Sequence, residues 1–138
     1  MTIFLSGIDA AELANKVSPY GGKFLPEDTV ACVYQVDGEV RCVVILNHWE
    51  NSSVEGTVIS SGKFVSRKFI RDVYDFIFNT QDRKLLLMWT SIENGEMISI
   101  HQKFGHRISG MAQNKFGDET GVLWSMTKTQ WEENSKFV

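Results

Sequence analysis

The segment from Gly62 to Arg67 has the residue types and the position in the chain that suit binding of an anion. It joins a predicted strand to a predicted amphipathic helix, and Lys63, Arg67 and Lys68 place positive charges around the start of that helix. The first N–H groups of a helix have no intrahelical partners and lie at the positive end of the helix dipole, so such a helix start can bind a pyrophosphate. The alternative is an ordinary strand-to-helix turn whose basic side chains face the solvent.

The histidines do not indicate a metal centre. The three histidines lack the spacing of metal ligands, so no metal site is predicted. His48 falls in a predicted exposed turn, and no role is assigned to it. His101 lies on the apolar stripe of a predicted helix, where a histidine is either a core residue or a group that exchanges a proton near neutral pH.

The two cysteines are predicted to be free thiols. Asp37-Gly38 is a strong signal for a two-residue hairpin turn. A hairpin centred there pairs Val33 with Cys42, and Cys32 and Cys42 then point to opposite faces of the sheet. Such thiols do not form a disulfide, and two free thiols indicate a reducing, cytoplasmic setting.

Three segments must position the candidate residues. The first is a helix whose apolar stripe contains Ser66, Phe69, Ile70, Val73 and Ile77. Residues 85–89 are then apolar at every position, which is typical of a strand that pairs in parallel and is covered on both faces. A second helix follows, because apolar side chains recur at Met97, Ile100, His101 and Phe104, and Gly105 would end it.

Length and composition predict a single domain over residues 1–138. The chain is 43% hydrophobic, which is enough for a core, and it has no run of about 18 apolar residues that would span a membrane. The N-terminal residues are typical of a strand and lack the features of a signal peptide. The predicted order is β, α, loop, β, β, β, α, β, α, β, β, which is a mixed sheet of the α/β (α+β) class. The last strand is predicted over Gly121 to Thr129, where apolar residues alternate along the chain. A net charge of −3 argues against general binding of nucleic acid.

Two segments keep the spacing of known signatures. Ser61-Gly62-Lys63-Phe64-Val65-Ser66, followed by Arg67, corresponds to the acetyl-CoA signature Arg/Gln-x-x-Gly-x-Gly/Ala. The residues Asn94, Met97, Ile100, His101, Lys103, Gly105 and His106 correspond to Asn-x-x-Ala-x-x-(Leu)-Tyr-x-Lys-x-Gly-Phe. The chain therefore resembles the GCN5-related N-acetyltransferase (GNAT) superfamily. Phe64 stands where the central glycine is usual, as in the small, divergent acetyltransferase-like proteins that bacteriophages often encode.

The resemblance implies a fold and an activity. The fold is a GNAT-like mixed sheet of about seven strands with helices on both faces, and its parallel fourth and fifth strands splay apart. The activity is an acyl-CoA-dependent N-acyltransferase that moves the acetyl group of acetyl-CoA to an amine of a small molecule or a protein by direct attack. The sequence does not indicate the acceptor amine or the oligomeric state, for which a homodimer is one expectation.

The resemblance also implies the site residues. The cofactor-binding residues are Val58, Ile59, Ser60, Ser61, Gly62, Lys63, Phe64, Val65, Ser66, Arg67 and Asn94. His101 stands where the family has a tyrosine that protonates the departing thiolate, and Glu55 is the carboxylate on the fourth strand that could deprotonate the amine through water. Each has an alternative: His101 as a core residue, Glu55 as a solvated residue, and Asn94 as a helix N-cap, a pantetheine contact or both.

Two other functions stay open. The first is a non-catalytic binding or structural protein on the same fold, because the Arg/Gln, the central glycine and the tyrosine of the signatures are missing and Phe64 could fill the pyrophosphate space. The second is acyl-type modification of a nucleobase or nucleic acid, since Tyr20, Phe24 and Trp49 in predicted loops could stack on a base. The alternative for these three side chains is packing in a lid. No membrane partner is expected.

Overall fold

The computed structural model describes residues 1–18, 23–60 and 66–134, with the backbone alone for Ser60. The strands are β1 Thr2–Ser6, β2 Val30–Val36, β3 Glu39–Asn47, β4 Ser53–Ser60, β5 Leu85–Ser91, β6 Arg107–Phe116 and β7 Glu119–Thr127. The helices are α1 Gly7–Val17, α2 Arg67–Asp75, α3 Gly95–Lys103 and α4 Lys128–Glu133, and a π-helical turn, Phe76–Thr80, extends α2.

The strands form one mixed sheet in the order β1-β2-β3-β4-β5-β7-β6. The central pair, β4 and β5, is parallel, and its register runs from Ser53 opposite Leu85 to Gly56 opposite Met88. The other neighbouring strands are antiparallel. The predicted fold class and the predicted parallel pair are therefore confirmed.

Helices cover both faces of the sheet, as predicted. On one face, α2, α3 and α4 pack on the sheet through a core that includes Phe69, Phe78, Trp124 and Trp131. On the other face, α1 packs through Ala10 and Ala14 against Ala31, Val43 and Ile45. Within the described part of the chain, no helix is both long and apolar enough to cross a membrane.

The helix after β4 differs from its prediction at the C-terminal end. Its α-helical part ends at Asp75, and the chain continues as a π turn. A π turn holds one more residue than an α turn, so it shifts the phase of the side chains that follow. The shift lets two consecutive side chains, Ile77 and Phe78, both reach 0% exposure.

The hairpin of β2 and β3 corrects the prediction for the cysteines. Tyr34 lies opposite Cys42 and Cys32 lies opposite Val44, because a bulge between Tyr34 and Gln35 shifts the register by one residue. Cys32 and Cys42 therefore share one face of the sheet, and the prediction of opposite faces is wrong. Both are free, buried thiols, and burial raises the pKa of each to about 12, with the neighbouring Cys42 adding to the effect on Cys32.

The end of the last strand also differs from the prediction, which carried that strand through Thr129. β7 ends at Thr127, and a short helix follows. The side chain of Thr127 accepts a hydrogen bond from the Gln130 N–H, while the Gln130 side chain accepts one from the Thr127 N–H. This reciprocal capping box stabilises the start of α4 and ends the strand.

Candidate functional site

The parallel strands β4 and β5 separate in the middle of the sheet. Their register ends at Gly56 and Met88, yet β4 continues to Ser60 along β3, and β5 continues to Ser91 along β7. Beyond Gly56, the facing edges of β4 and β5 are therefore not paired with each other. Backbone groups on such edges are available to a ligand.

An apolar cavity of about 220 Å³ lies between the sheet and the helices α2 and α3, and we call it the helix cavity. Its walls include Val58 and Met88 from the sheet, Ile70 and Tyr74 from α2, and Ile100 from α3. The cavity is suited to an apolar chain with few polar groups.

A second cavity, of about 390 Å³, opens on the splayed ends of the strands, and we call it the sheet cavity. Its walls are more polar and include Glu55, Thr57, Thr90, Ser91, Lys115 and Asn94. Four residues line both cavities: Val58, Met88, Met97 and His101. The two cavities therefore meet at the place where β4 and β5 separate.

A chain of buried side chains joined by hydrogen bonds crosses this meeting point. The Tyr74 hydroxyl bonds His106 Nε2, the Nδ1 atoms of His106 and His101 are 2.8 Å apart, and His101 Nε2 is 2.7 Å from Thr90 Oγ1. The His101 ring also stacks on Trp124, with ring centroids 4.9 Å apart. Both nitrogens of each imidazole ring therefore have a partner.

Both histidines are neutral at pH 7. Burial lowers the pKa of His101 to about 4, and burial together with the neighbouring His101 lowers the pKa of His106 to about 3. A neutral imidazole carries one N–H, and the contact between the two Nδ1 atoms needs one N–H and one lone pair. The tautomers of His101 and His106 are therefore linked, because each fixes the other.

The structure brings the two predicted catalytic side chains to the sheet cavity, which both Glu55 and His101 line. Glu55 is half-buried, and its Oε2 lies 3.6 Å from His48 Nε2. The sequence indicates no role for His48, yet His48 lines the same cavity.

The predicted cofactor residues that are described lie at or near the opening. Val58 and Ile59 line the sheet cavity, and Ser60 ends β4. Asn94 also lines this cavity, and its side chain caps α3 by accepting a hydrogen bond from Met97 N–H at 3.1 Å. The N-cap alternative for Asn94 is therefore confirmed, while a contact with pantetheine stays a prediction.

The predicted anion site lies partly outside the described residues, because Ser61, Gly62, Lys63, Phe64 and Val65 do. The helix start itself is where the sequence predicts it: α2 begins at Arg67, which is exposed, and the Ser66 hydroxyl accepts a hydrogen bond from Phe69 N–H at 3.4 Å. Lys68 Nζ lies 2.9 Å from Asp72 Oδ2, so its charge is partly balanced within the helix.

The three aromatic residues predicted to stack on a base do not lie together at one site among the described residues. Phe24 lines the sheet cavity, whereas Trp49 packs edge-on against Phe76 and lies under the guanidinium of Arg83. Tyr20 is outside the described residues. Trp49 is therefore a packing residue, which was the alternative to its role in stacking on a base.

Among the described side chains, no group of three or more histidines, cysteines and acids could hold a metal ion.

Sequence reasoning assigned no function to Tyr74 or Thr90. Tyr74 lies among the apolar residues of its helix, beside the stripe, and Thr90 follows the apolar run of β5. Their contacts join residues 11 and 32 positions apart in the sequence. A polar residue directly after an apolar, buried run was the one available signal for Thr90.

Of the comparisons with known proteins, the one with solved structures gives matches. Neither the protein-family models nor the curated protein sequences include one that matches the chain. Among solved structures, the chain is similar to the spermidine/spermine N-acetyltransferase SpeG from Vibrio cholerae in complex with manganese ions, with a TM-score of 0.78, 12% identity, and coverage of 98% of this chain and 96% of that one.

Two further solved structures give the same result. A dodecameric structure of the Vibrio cholerae spermidine N-acetyltransferase matches with a TM-score of 0.76 at 14% identity over 98% of this chain and 97% of that one. A probable acetyltransferase matches with a TM-score of 0.67 at 15% identity over 75% of this chain and 63% of that one. At these identities the matches show the fold, and the chain has the fold of the GNAT acetyltransferases.

Proposed function

We propose that this protein is an acyl-CoA-dependent N-acyltransferase that moves an acetyl group from acetyl-CoA to an amine. The observation that carries the proposal is the separation of β4 and β5 after Gly56 and Met88, which opens the sheet where the two cavities meet. The opening could hold a thioester between an apolar cavity for the cofactor and a more polar cavity for the acceptor.

The cofactor would lie on the α2 side of the sheet. The pantetheine arm has few polar groups, which suits the apolar walls of the helix cavity, and its amides could bond the free edge of β4 at Val58, Ile59 and Ser60. The pyrophosphate would lie at the start of α2, in the segment from Ser61 to Arg67, where the helix dipole and the basic side chains favour negative charge.

The acceptor amine would enter through the sheet cavity. Among the described residues that line it, Lys23 and Lys115 are cationic and Glu55 is the one carboxylate. This charge balance does not favour a polycation, although the solved structures of similar fold include spermidine acetyltransferases. We therefore expect the acceptor to be a molecule with a single amine.

The reaction needs positioning and one proton transfer, which is compatible with the divergent signatures. The amine nitrogen forms a bond to the thioester carbonyl carbon, the carbon–sulfur bond breaks, and its electron pair leaves with the sulfur. The nitrogen loses one proton and the sulfur gains one. Glu55 is the proposed base through a water molecule. His101, the predicted acid for the departing sulfur, lines both cavities, but both of its ring nitrogens already have hydrogen-bond partners.

Calorimetric titration with acetyl-CoA tests the proposal. We expect saturable binding, and weaker binding of acetyl-pantetheine, which lacks the pyrophosphate. A panel of primary amines, with release of the CoA thiol followed by a thiol reagent, then identifies the acceptor class. The buried Cys32 and Cys42 should contribute little background. The absence of binding at millimolar acetyl-CoA would support the non-catalytic alternative on the same fold.

A further inference from the structure

The hydrogen-bonded chain of Tyr74, His106, His101 and Thr90 runs from one cavity to the other. Tyr74 and His106 line the helix cavity, Thr90 lines the sheet cavity, and His101 lines both. All four residues are at least 92% buried, with exposures of 4%, 8%, 1% and 6% in that order. Buried polar networks are costly unless every member is bonded, and here each side chain is hydrogen-bonded to the next one in the chain.

His101 cannot donate a further hydrogen bond without losing one that it has. Its Nδ1 atom is hydrogen-bonded to His106, and its Nε2 atom is hydrogen-bonded to Thr90. Thr90 is different, because a hydroxyl can accept one hydrogen bond and donate another. When Oγ1 accepts the N–H of His101, the hydroxyl hydrogen of Thr90 is free to point into the sheet cavity.

We propose that Thr90 is a further catalytic residue, whose hydroxyl donates a hydrogen bond to the negative charge that develops on the thioester oxygen or sulfur. This inference rests on the proposed function. His101, His106 and Tyr74 are positioning residues that act through Thr90. In the arrangement that we infer, Tyr74 O–H donates to His106 Nε2, His106 Nδ1–H donates to His101 Nδ1, and His101 Nε2–H donates to Thr90 Oγ1.

The opposite arrangement, with every hydrogen reversed, is possible in the absence of a ligand. A developing negative charge in the sheet cavity favours the arrangement in which all donors point toward it, because aligned hydrogen bonds polarise one another. Burial also raises the pKa of Tyr74 well above its ordinary value, so Tyr74 keeps its proton. The chain therefore orients a donor and transfers no net proton.

The reaction balances without a proton from the chain. As the carbon–sulfur bond breaks, its electron pair goes to the sulfur, and the proton released by the attacking nitrogen ends on that sulfur. Thr90 keeps its own hydrogen throughout. Its hydrogen bond strengthens as charge appears, which is how a preorganised donor lowers a barrier.

Variants of Thr90 give the first test, with hydrolysis of acetyl-CoA by the full chain as the reaction. We expect Thr90→Val to lower kcat by about 100-fold, the effect of losing one preorganised donor, while KM for acetyl-CoA changes less than twofold. Thr90→Ser retains a hydroxyl and should restore most of kcat. Tyr74→Phe, outside the reacting centre, should lower kcat by a smaller factor. Thermal unfolding of each variant shows whether the fold is retained.

Imidazole ¹⁵N NMR of the CoA-bound protein gives a second test that does not depend on turnover. We expect Nε2–H on His101 and Nδ1–H on His106. The reverse pair of tautomers would overturn the inference, because Thr90 would then donate to the ring and not to the ligand.

These experiments distinguish a failure of the proposed function from a failure of the inference about Thr90. If the wild-type protein binds no CoA, the proposed function fails and this inference falls with it. If the protein binds CoA but Thr90→Val hydrolyses acetyl-CoA at the wild-type rate, the inference about Thr90 alone is overturned.

Discussion

Gly56 and Met88 form the last residue pair that joins β4 to β5. A Cβ atom added to Gly56 would lie 3.3 Å from Met88 Cγ and 3.3 Å from Leu86 Cδ1. These distances are shorter than ordinary van der Waals contacts. The absence of a side chain at Gly56 therefore lets the two strands and their neighbours pack closely just before the opening.

Gly56→Val should destabilise the fold. Two further methyl groups must enter a buried region that already lacks room for a Cβ, and overpacking of this kind costs about 1–3 kcal/mol. Urea unfolding measures the change. Gly110→Val is the matched control, because a Cβ at Gly110, also in a strand, would lie 3.9 Å from its nearest neighbour. An equal loss of stability in both variants would contradict the explanation.

Ile100→Trp should weaken acetyl-CoA binding by at least about tenfold, or roughly 1.4 kcal/mol. Ile100 lines the helix cavity, and a larger side chain would occupy the space assigned to the pantetheine arm. Calorimetric titration gives the dissociation constant. Ile92→Trp is the control, since Ile92 is 44% exposed and lines neither cavity. Unchanged affinity in Ile100→Trp would place the cofactor elsewhere.

Glu55→Gln should lower the rate of acetyl transfer to an accepted primary amine by roughly 100-fold, the usual range for loss of a general base. The amide cannot accept a proton, while the size of the side chain is retained. Steady-state rates give the comparison, with Glu50→Gln as the control because Glu50 is exposed and lies outside both cavities. A rate equal to that of the wild type would show that Glu55 is a solvated residue and not the general base.

The stability of the protein should fall as the pH is lowered below 6.5, the ordinary pKa of histidine. Burial lowers the pKa of His101 to about 4 and that of His106 to about 3, so between these values and 6.5 the unfolded chain binds protons that the folded chain does not. Stability then decreases by about 1.4 kcal/mol per pH unit for each histidine.

Urea unfolding at pH 7, 6 and 5 measures this dependence. A constant free energy of unfolding between pH 7 and pH 5 would show that the two rings are not buried in the neutral form.

Much of the fold could be predicted because it depends on local patterns. The apolar run at residues 85–89 predicts a parallel strand, and the spacing of Met97, Ile100, His101 and Phe104 predicts the helix that follows it; both are confirmed. The strand is less covered than predicted, because Leu85, Leu87 and Trp89 are only half-buried. The start of α4 was also readable, since Thr127 and Gln130 have the spacing of a capping box. The alternation of apolar residues along β7 led instead to a longer strand.

The features that could not be predicted depend on contacts between distant residues. The Asp37-Gly38 turn fixes where the hairpin begins, but the bulge beside Tyr34 sets which residues face each other. Likewise, a histidine on an apolar helix stripe is compatible with a core or a catalytic role. The bonds of His101 to Thr90 and His106 became visible only when the strand, the helix and the start of β6 were placed together.

The short parallel ladder has a mechanical consequence. Four residue pairs join the half of the sheet that contains β1 to β4 with the half that contains β5 to β7. A ligand whose own amides formed hydrogen bonds with the free edges of β4 and β5 would add links between the two halves of the sheet and make their junction more rigid. Ligand binding at the opening and the rigidity of the sheet would then be thermodynamically coupled. A ligand would therefore slow amide hydrogen exchange in strands that it does not contact.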